Sequence, residues 1–343
     1  MKKFLVFAAA ATTLFAACNK TKVVYDNDPQ EIAMFAVSNV ATKAPVTGTD
    51  FLAGDNMRVS AYLAATDANN ADKVGHYFNN VLFSKGSDTW VGGQYWPLSA
   101  ATLNFVAVTQ IGGGVEEADI SYDEGTDAFT VVLNANNESI VSQPDVMYAT
   151  GRGANTPGSS TVAPVDMVFK HALAWVNFSF KSNVNTAGTL VVNTVKLTTR
   201  YNGTFTVTPQ NFTNPSAGLS AIVDWTMKDD AFGIAVPNTD NTAEMAHMDM
   251  NGLTDYTAFG NGLLVVPMRA EDTVDPYFVI TYTVKQSDGD KTYTYKHVLK
   301  DQVWEAAKKY TFNINITLKE IEVDPEVEEW KEETGLTAWL GAN

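Results

Sequence analysis

Four histidines, His76, His171, His247 and His297, are the side chains best suited to acid–base or metal chemistry. None stands at a zinc-ligand spacing from a cysteine, a glutamate or another histidine. His171 begins a strand pattern and reads as a satisfied, partly buried polar group, not as a general base. Loop carboxylates at Asp229-Asp230 and Asp288-Gly289-Asp290 have the oxygens calcium prefers. Neither fits the EF-hand loop pattern, so both read as turns. There is no G-x-S-x-G elbow and no P-loop; Gly151-Arg152-Gly153 reads as two glycines in a flexible loop, not a phosphate cradle. The stretch Trp90-Val-Gly-Gly-Gln-Tyr95-Trp96-Pro97 offers Trp90, Tyr95 and Trp96 as a surface for stacking on sugar rings. The same residues would also close the end of a β-sandwich, which is the commoner role. Nothing in the spacing points to a pair of glycosidase carboxylates. No catalytic residue, metal or cofactor is expected, and the chain does not read as an enzyme.

The elements that would position such residues are strands. Thr, Asn, Val, Tyr and Phe recur through the 343 residues, while Glu-Lys-Leu blocks are scarce. The net charge of −16 repels nucleic acid, and no nucleic-acid partner is expected. Cys18 is the single cysteine, so no intrachain disulfide is available and the cores must hold by burial.

Residues 1–17 read as a signal peptide. Lys2 and Lys3 precede an apolar run from Phe4 to Ala17, too short to span a bilayer comfortably. The run ends on Ala16-Ala17-Cys18 and resembles a bacterial lipoprotein signal, although Phe15 stands where Leu is usual. That resemblance implies a diacylated Cys18 thiol, cleavage before it and acylation of the new amine. Several acyl chains hold a bilayer far more firmly than one, at about 0.8 kcal/mol per buried methylene. Asn19 is compatible with transport to the outer membrane, and residues 18–29 read as a lipidated tether.

Glu31 to Ser38 reads as a first strand with imperfect alternation at Ile32, Met34 and Val37. Further strands are expected at Met57–Leu63, Tyr77–Ser84, Leu103–Val108 and Phe129–Leu133. Asp145-Val-Met-Tyr-Ala149 leads into a loop rich in Gly, Pro, Ser and Thr that runs from Gly151 to Pro164. The pattern restarts at Val168, with Val176, Phe178 and Phe180 alternating. Asn202-Gly203 between β-rich flanks predicts a hairpin. A second hairpin is expected around Ser287 to Asp290. Tyr310-Thr-Phe-Asn-Ile-Asn-Ile-Thr-Leu318 keeps strict period two and predicts a half-buried strand. The fold class is all-β, with tandem β-sandwich domains over residues 30–170 and 171–320 and a tail over 321–343. Val327 and Trp330 lie three apart, so the tail also reads as a short helix.

Several stretches in order resemble the fimbrillin family of pilin-like lipoproteins. They are Thr42-Lys43-Ala44, Gly54-Asp55, Trp90 with Trp96-Pro97, Leu103-Asn-Phe105, Asp145 to Ala149, Phe169-Lys-His-Ala-Leu173, and Trp304 with Tyr310 through Trp330. The resemblance implies transthyretin-like, Greek-key sandwiches and a place in cell-surface fimbriae as shaft, tip or anchor. It implies proteolysis after the first strand, followed by filling of the vacated groove by a strand of the next subunit. Lys43 stands where the family has Arg. The donor strand would come from the C-terminus, with Ile321, Val323, Val327 and Trp330 as its interface residues, and Tyr310–Leu318 reads as a permanent core strand. Implied partners are other fimbrial subunits, like or unlike this one, the outer membrane through lipid on Cys18, and a host or bacterial surface ligand. The other reading is a non-polymerising outer-membrane adhesin or glycan-binding lipoprotein.

Overall fold

The computed structural model describes residues 29–38, 51–64, 75–111, 120–133, 145–156, 161–182, 190–210, 220–227, 231–235, 247–268, 275–287, 289–317 and 321–329. The strands are β1 (Glu31–Ser38), β2 (Asn56–Leu63), β3 (Gly75–Lys85), β4 (Trp90–Tyr95), β5 (Ala101–Ile111), β6 (Ile120–Asp123) and β7 (Ala128–Leu133). Next come β8 (Asp145–Asn155), β9 (Val165–His171), β10 (Ala174–Lys181), β11 (Leu190–Arg200), β12 (Gly203–Gln210), β13 (Ser220–Met227) and β14 (Ala231–Ala235). The last are β15 (Met248–Asp249), β16 (Thr257–Ala258), β17 (Leu263–Val265), β18 (Tyr277–Val284), β19 (Lys291–Val298), β20 (Lys308–Ile316) and β21 (Ile321–Glu329). The described residues contain no helix, and the protein is all-β.

Before Ala172 the strands close on themselves in the order β1-β4-β3-β2-β5-β8-β9. After it, two sheets face each other as a sandwich, β16-β10-β20-β21 with β17 beside β10, and β14-β11-β18-β19 with β15 beside β11. A fourth sheet, β13-β12-β7-β6, takes two strands from each half of the chain. Its central contact pairs Gly203–Val207 of β12 with Leu133–Phe129 of β7.

Each assembly has its own core, as alternating strands require. The closed sheet buries Met57, Phe83, Trp90, Leu103, Phe105 and Phe169 among others. The sandwich buries Phe178, Phe278 and Phe312, whose ring centroids lie 5.3–5.6 Å apart. A third core joins Val106, Val108 and Val146 of the closed sheet to Phe129 and Phe205 of the fourth sheet and to Trp175 and Leu264 of the sandwich. Trp304 donates its Nε1 hydrogen to Thr199 Oγ1 at 3.2 Å and meets Tyr310 edge-on at 4.9 Å, which seats β20.

Three sequence expectations are corrected. Asn202-Gly203 makes no hairpin, because β11 and β12 belong to different sheets. Gly203 is instead a close approach; a Cβ there would lie 3.2 Å from Thr226 O and from the Trp225 ring. The expected loop from Gly151 onward is strand as far as Asn155. Its glycines admit neighbours, since a Cβ on Gly151 would meet Met167 Sδ, and one on Gly153 would meet Trp96 Cη2 at 2.9 Å. The tail forms strand β21 and no helix over Ile321–Glu329. The hairpin of β18 and β19 forms as expected, and the strand expected at Tyr310–Leu318 forms over Lys308–Ile316. Asp229, Asp230 and Asp288 lie outside the described residues.

Gly151→Ala is expected to destabilise the protein by about 1–3 kcal/mol, because Met167 and the Asp166 carbonyl, 2.9 Å from the new Cβ, must both give way. Urea unfolding measures this. An unchanged midpoint would contradict the close approach of β8 and β9.

Candidate functional site

The first and last described strands occupy opposite kinds of position. β1 sits inside a closed sheet. It runs antiparallel to β4, with Glu31 opposite Tyr95 and Met34 opposite Trp90. Its other side runs parallel to β9, from Met34 opposite Val165 to Ser38 opposite Phe169. Among the described residues this is the one parallel contact in the closed sheet. Ile32, Met34 and Ala36 point inward and are buried, while Phe35 points out and is 42% exposed. Two further bonds pin the start of β1. Gly93 N–H donates to Glu31 Oε1 at 3.1 Å, and Trp96 N–H donates to Gln30 O at 2.8 Å.

β21 lies at the end of its sheet and pairs antiparallel with β20 along its whole length. Ile321, Val323, Pro325 and Val327 stand opposite Ile316, Ile314, Phe312 and Tyr310, all four of which are buried. β21 therefore turns an apolar face toward the sandwich at the same two-residue period as Ile32, Met34 and Ala36. It is held far less deeply: Ile321 and Val323 are half-buried, and Val327 is 57% exposed. Removing β21 leaves β20 still paired with β10, so the sandwich core stays hydrogen-bonded.

The structure separates the other sequence candidates. Trp90 and Trp96 are buried, Trp90 edge-on to Phe51 at 5.1 Å and Trp96 edge-on to Phe105 at 6.1 Å. They are core residues and cannot stack on a sugar, which corrects that reading; only Tyr95 is exposed, at 47%. Period two explains the split, since Trp90 faces inward and Tyr95, five residues along the same strand, faces outward. Cys18, Lys43 and Trp330 lie outside the described residues.

The histidines are placed structurally. His171 is fully buried, and its Nδ1 lies 2.8 Å from Asp145 Oδ1. The pair joins β8 to β9 and binds together the two motifs, Asp145–Ala149 and Phe169–Leu173, noted in the sequence. His76 Nε2 lies 2.7 Å from Asp127 Oδ1, which also accepts from Tyr122 O–H at 3.2 Å. This tethers β3 to the hairpin of β6 and β7. His297 stacks on Phe278, and burial holds its imidazole below the ordinary histidine range. Among the described residues no three His, Cys, Asp or Glu side chains come together as metal ligands. Sequence reasoning missed the outward Phe35. It also missed strand β13, whose Trp225 donates to Ala172 O at 2.8 Å where the chain passes from one half to the other.

The arrangement is that of an all-β protein whose first described strand closes a sheet and whose last described strand ends one. A fimbrillin-like family model matches residues 42–330, and the chain belongs to that family. It is similar to a solved candidate cell adhesion protein of Bacteroides uniformis, at 19% identity and a TM-score of 0.49, over 88% of this chain and 98% of that one. It is also similar to a solved fimbrial protein of Bacteroides vulgatus, at 17% identity and a TM-score of 0.47, over 89% of this chain and 100% of that one. Among curated proteins nothing matches.

Met34→Ala should cost about 2–5 kcal/mol of stability, because it opens a cavity under the closing strand. Phe35→Ala should cost less than about 1 kcal/mol. Thermal or urea unfolding of the two variants would reverse this order if β1 were one residue out of register.

Proposed function

We propose that the protein is a structural subunit of cell-surface fimbriae, as shaft, tip or anchor, assembled by strand exchange. Membership of a fimbrillin-like family supports a fimbrial or adhesive role at the cell surface and association with other fimbrial subunits. The observation that carries the finer reading is the pairing of a deeply buried first strand with a shallow last strand of the same apolar period. Cleavage after Lys43 would leave β1 joined to the body only by its hydrogen bonds and its buried face. Its departure would expose backbone groups on β4 and β9 and a groove lined by Trp90, Val165, Met167 and Phe169. An incoming strand with apolar residues two apart restores both. The segment Ile321–Val327 has that pattern, with Trp330 beyond it and out of its two-residue phase, and can leave its own sheet without breaking the sandwich.

Each half would act as a unit in this scheme, residues 30–170 receiving a strand and residues 171–320 presenting one. Lipid on Cys18 would hold the subunit at the outer membrane until cleavage, and permanently if Lys43 is spared. A non-polymerising glycan binder is the weaker reading, because two of its three stacking residues are buried.

Incubating the purified chain with a trypsin-like protease should yield ladders of linked subunits on unheated denaturing gels. Deleting residues 320–343 should abolish the ladders. Ladders that persist in the truncated protein would refute the donor assignment. Separately, Cys18→Ala should move the protein from the membrane pellet to the soluble fraction, and an unchanged pellet would refute lipid anchoring.

A further inference from the structure

Among the described residues, the end strands β19 and β21 of the two sandwich sheets lie on the same side. β18 lies over β10 and β20, with Phe278 5.3 Å from Phe178 and 5.5 Å from Phe312. The chain from Asp249 to Thr257 crosses between the sheets, from beside β11 to beside β10. Met250 N–H donates to Leu190 O at 2.9 Å at one end of this crossing, and Phe259 N–H donates to Phe178 O at 2.8 Å just past the other. The β15 and β16 side of the sandwich is therefore bridged. β19 and β21 share the opposite side, and among the described residues each is the last strand of its sheet.

These two edges carry opposite charge. β21 reads Ile-Glu-Val-Asp-Pro-Glu-Val-Glu-Glu and contains no base. β19 reads Lys-Thr-Tyr-Thr-Tyr-Lys-His-Val and contains no acid. Asp324, Glu326, Lys291 and Lys296 are all exposed. Glu326 lies on the outer face of its sheet, 3.4 Å from Asn313 Nδ2. Lys296 lies on the outer face of the other sheet, its Nζ 3.6 Å from the Tyr277 ring centroid. Between the edges, the inner faces leave apolar surface uncovered at Tyr293, 42% exposed, and at Val327.

Cross-strand pairs of like charge destabilise a sheet and opposite charges support it. Two β21 edges would thus repel, as would two β19 edges, whereas β21 against β19 is complementary. Both edges occupy one side, so a twofold axis satisfies both at once. We propose that two copies of this chain associate through a twofold interface in which β21 of each pairs edge to edge with β19 of the other. Each sheet of one copy then continues into the opposite sheet of its partner. The contact consumes both edges on this side, so a twofold arrangement closes at a dimer. Pro325 donates no hydrogen bond, so the new ladder is interrupted there. The interface requires β21 in its own sheet and does not depend on strand exchange.

Light scattering and sedimentation of the intact chain, without protease, test this. A dimer is expected at low salt, weakening as salt screens the edges. Lys291→Glu with Lys296→Glu makes both edges acidic, and replacing Glu322, Asp324, Glu326 and Glu328 together with Lys makes both basic. Each variant alone should dimerise at least about tenfold more weakly. Mixing the two should restore a dimer, since each acidic edge then meets a basic one, and recovery also verifies that both variants fold. A wild-type chain that stays monomeric, variants that dimerise as well as wild type, or a mixture that does not recover would each overturn the proposal. Protease-dependent ladders report on strand exchange alone and can fail or succeed independently of this result.

Discussion

The pairing of β7 with β12 is the contact on which the arrangement of the two halves depends. β7 lies in the chain between β5 and β8 of the closed sheet, and β12 follows the first strands of the sandwich. Their hydrogen bonds run from Gly203 opposite Leu133 to Val207 opposite Phe129. Side chains from that sheet then fill the space between Val106 and Val146 on one side and Trp175 and Leu264 on the other. Apolar burial stabilises by roughly 25 cal/mol per Å², so a third core shared by both halves resists their separation. Long pairings of this kind are slow to form, because loop closure precedes the contacts that offset it. The result is a centre held by strands that include neither β1 nor β21.

That division of labour suits the chemistry of the termini. β1 is buried between two strands and lines a core, so withdrawing it costs backbone pairing on both sides as well as apolar contacts. β21 is paired on one side and half exposed. Energetically the last strand is the easier one to release and the first is the harder one. An exchange that ends with a strand in the β1 position therefore runs from a shallow site to a deep one. Cleavage beyond Ser38 would alter the kinetics of leaving without changing the depth of the groove.

Much of this was legible in the residues. Strict alternation in Tyr310–Leu318 marked a strand with one buried face, and Tyr310, Phe312, Ile314 and Ile316 are buried. The hairpin of β18 and β19 was legible because both arms alternate around a turn at Gly289. What misled was local chemistry overruled by distant partners. Asn202-Gly203 carries a hairpin signature, yet β12 finds β7 and β13 instead of β11. Gly151 and Gly153 look like loop residues until Met167 and Trp96 occupy the space a Cβ would take. In β1, Ala36 faces the core and Phe35 faces solvent, the reverse of what size suggests. The pleat and the neighbouring Met34 set the register, and hydrophobicity follows it.

A protein made almost wholly of strands must control every free edge, and this chain uses two different means. In the first half, β1 closes the seven-stranded sheet, which has no edge while β1 stays. In the second half, two end strands carry charge, acids along β21 and lysines along β19. Uniform charge on all edges would suppress every contact, which is the usual defence against aggregation. Opposite charge on the two edges suppresses pairing of like with like while leaving one complementary pairing open. The same nine residues of β21 thus combine an apolar face, which seals a core, with an acidic face, which restricts the partners that can lie beside it. Alternation of period two is what allows one strand to carry both instructions without conflict.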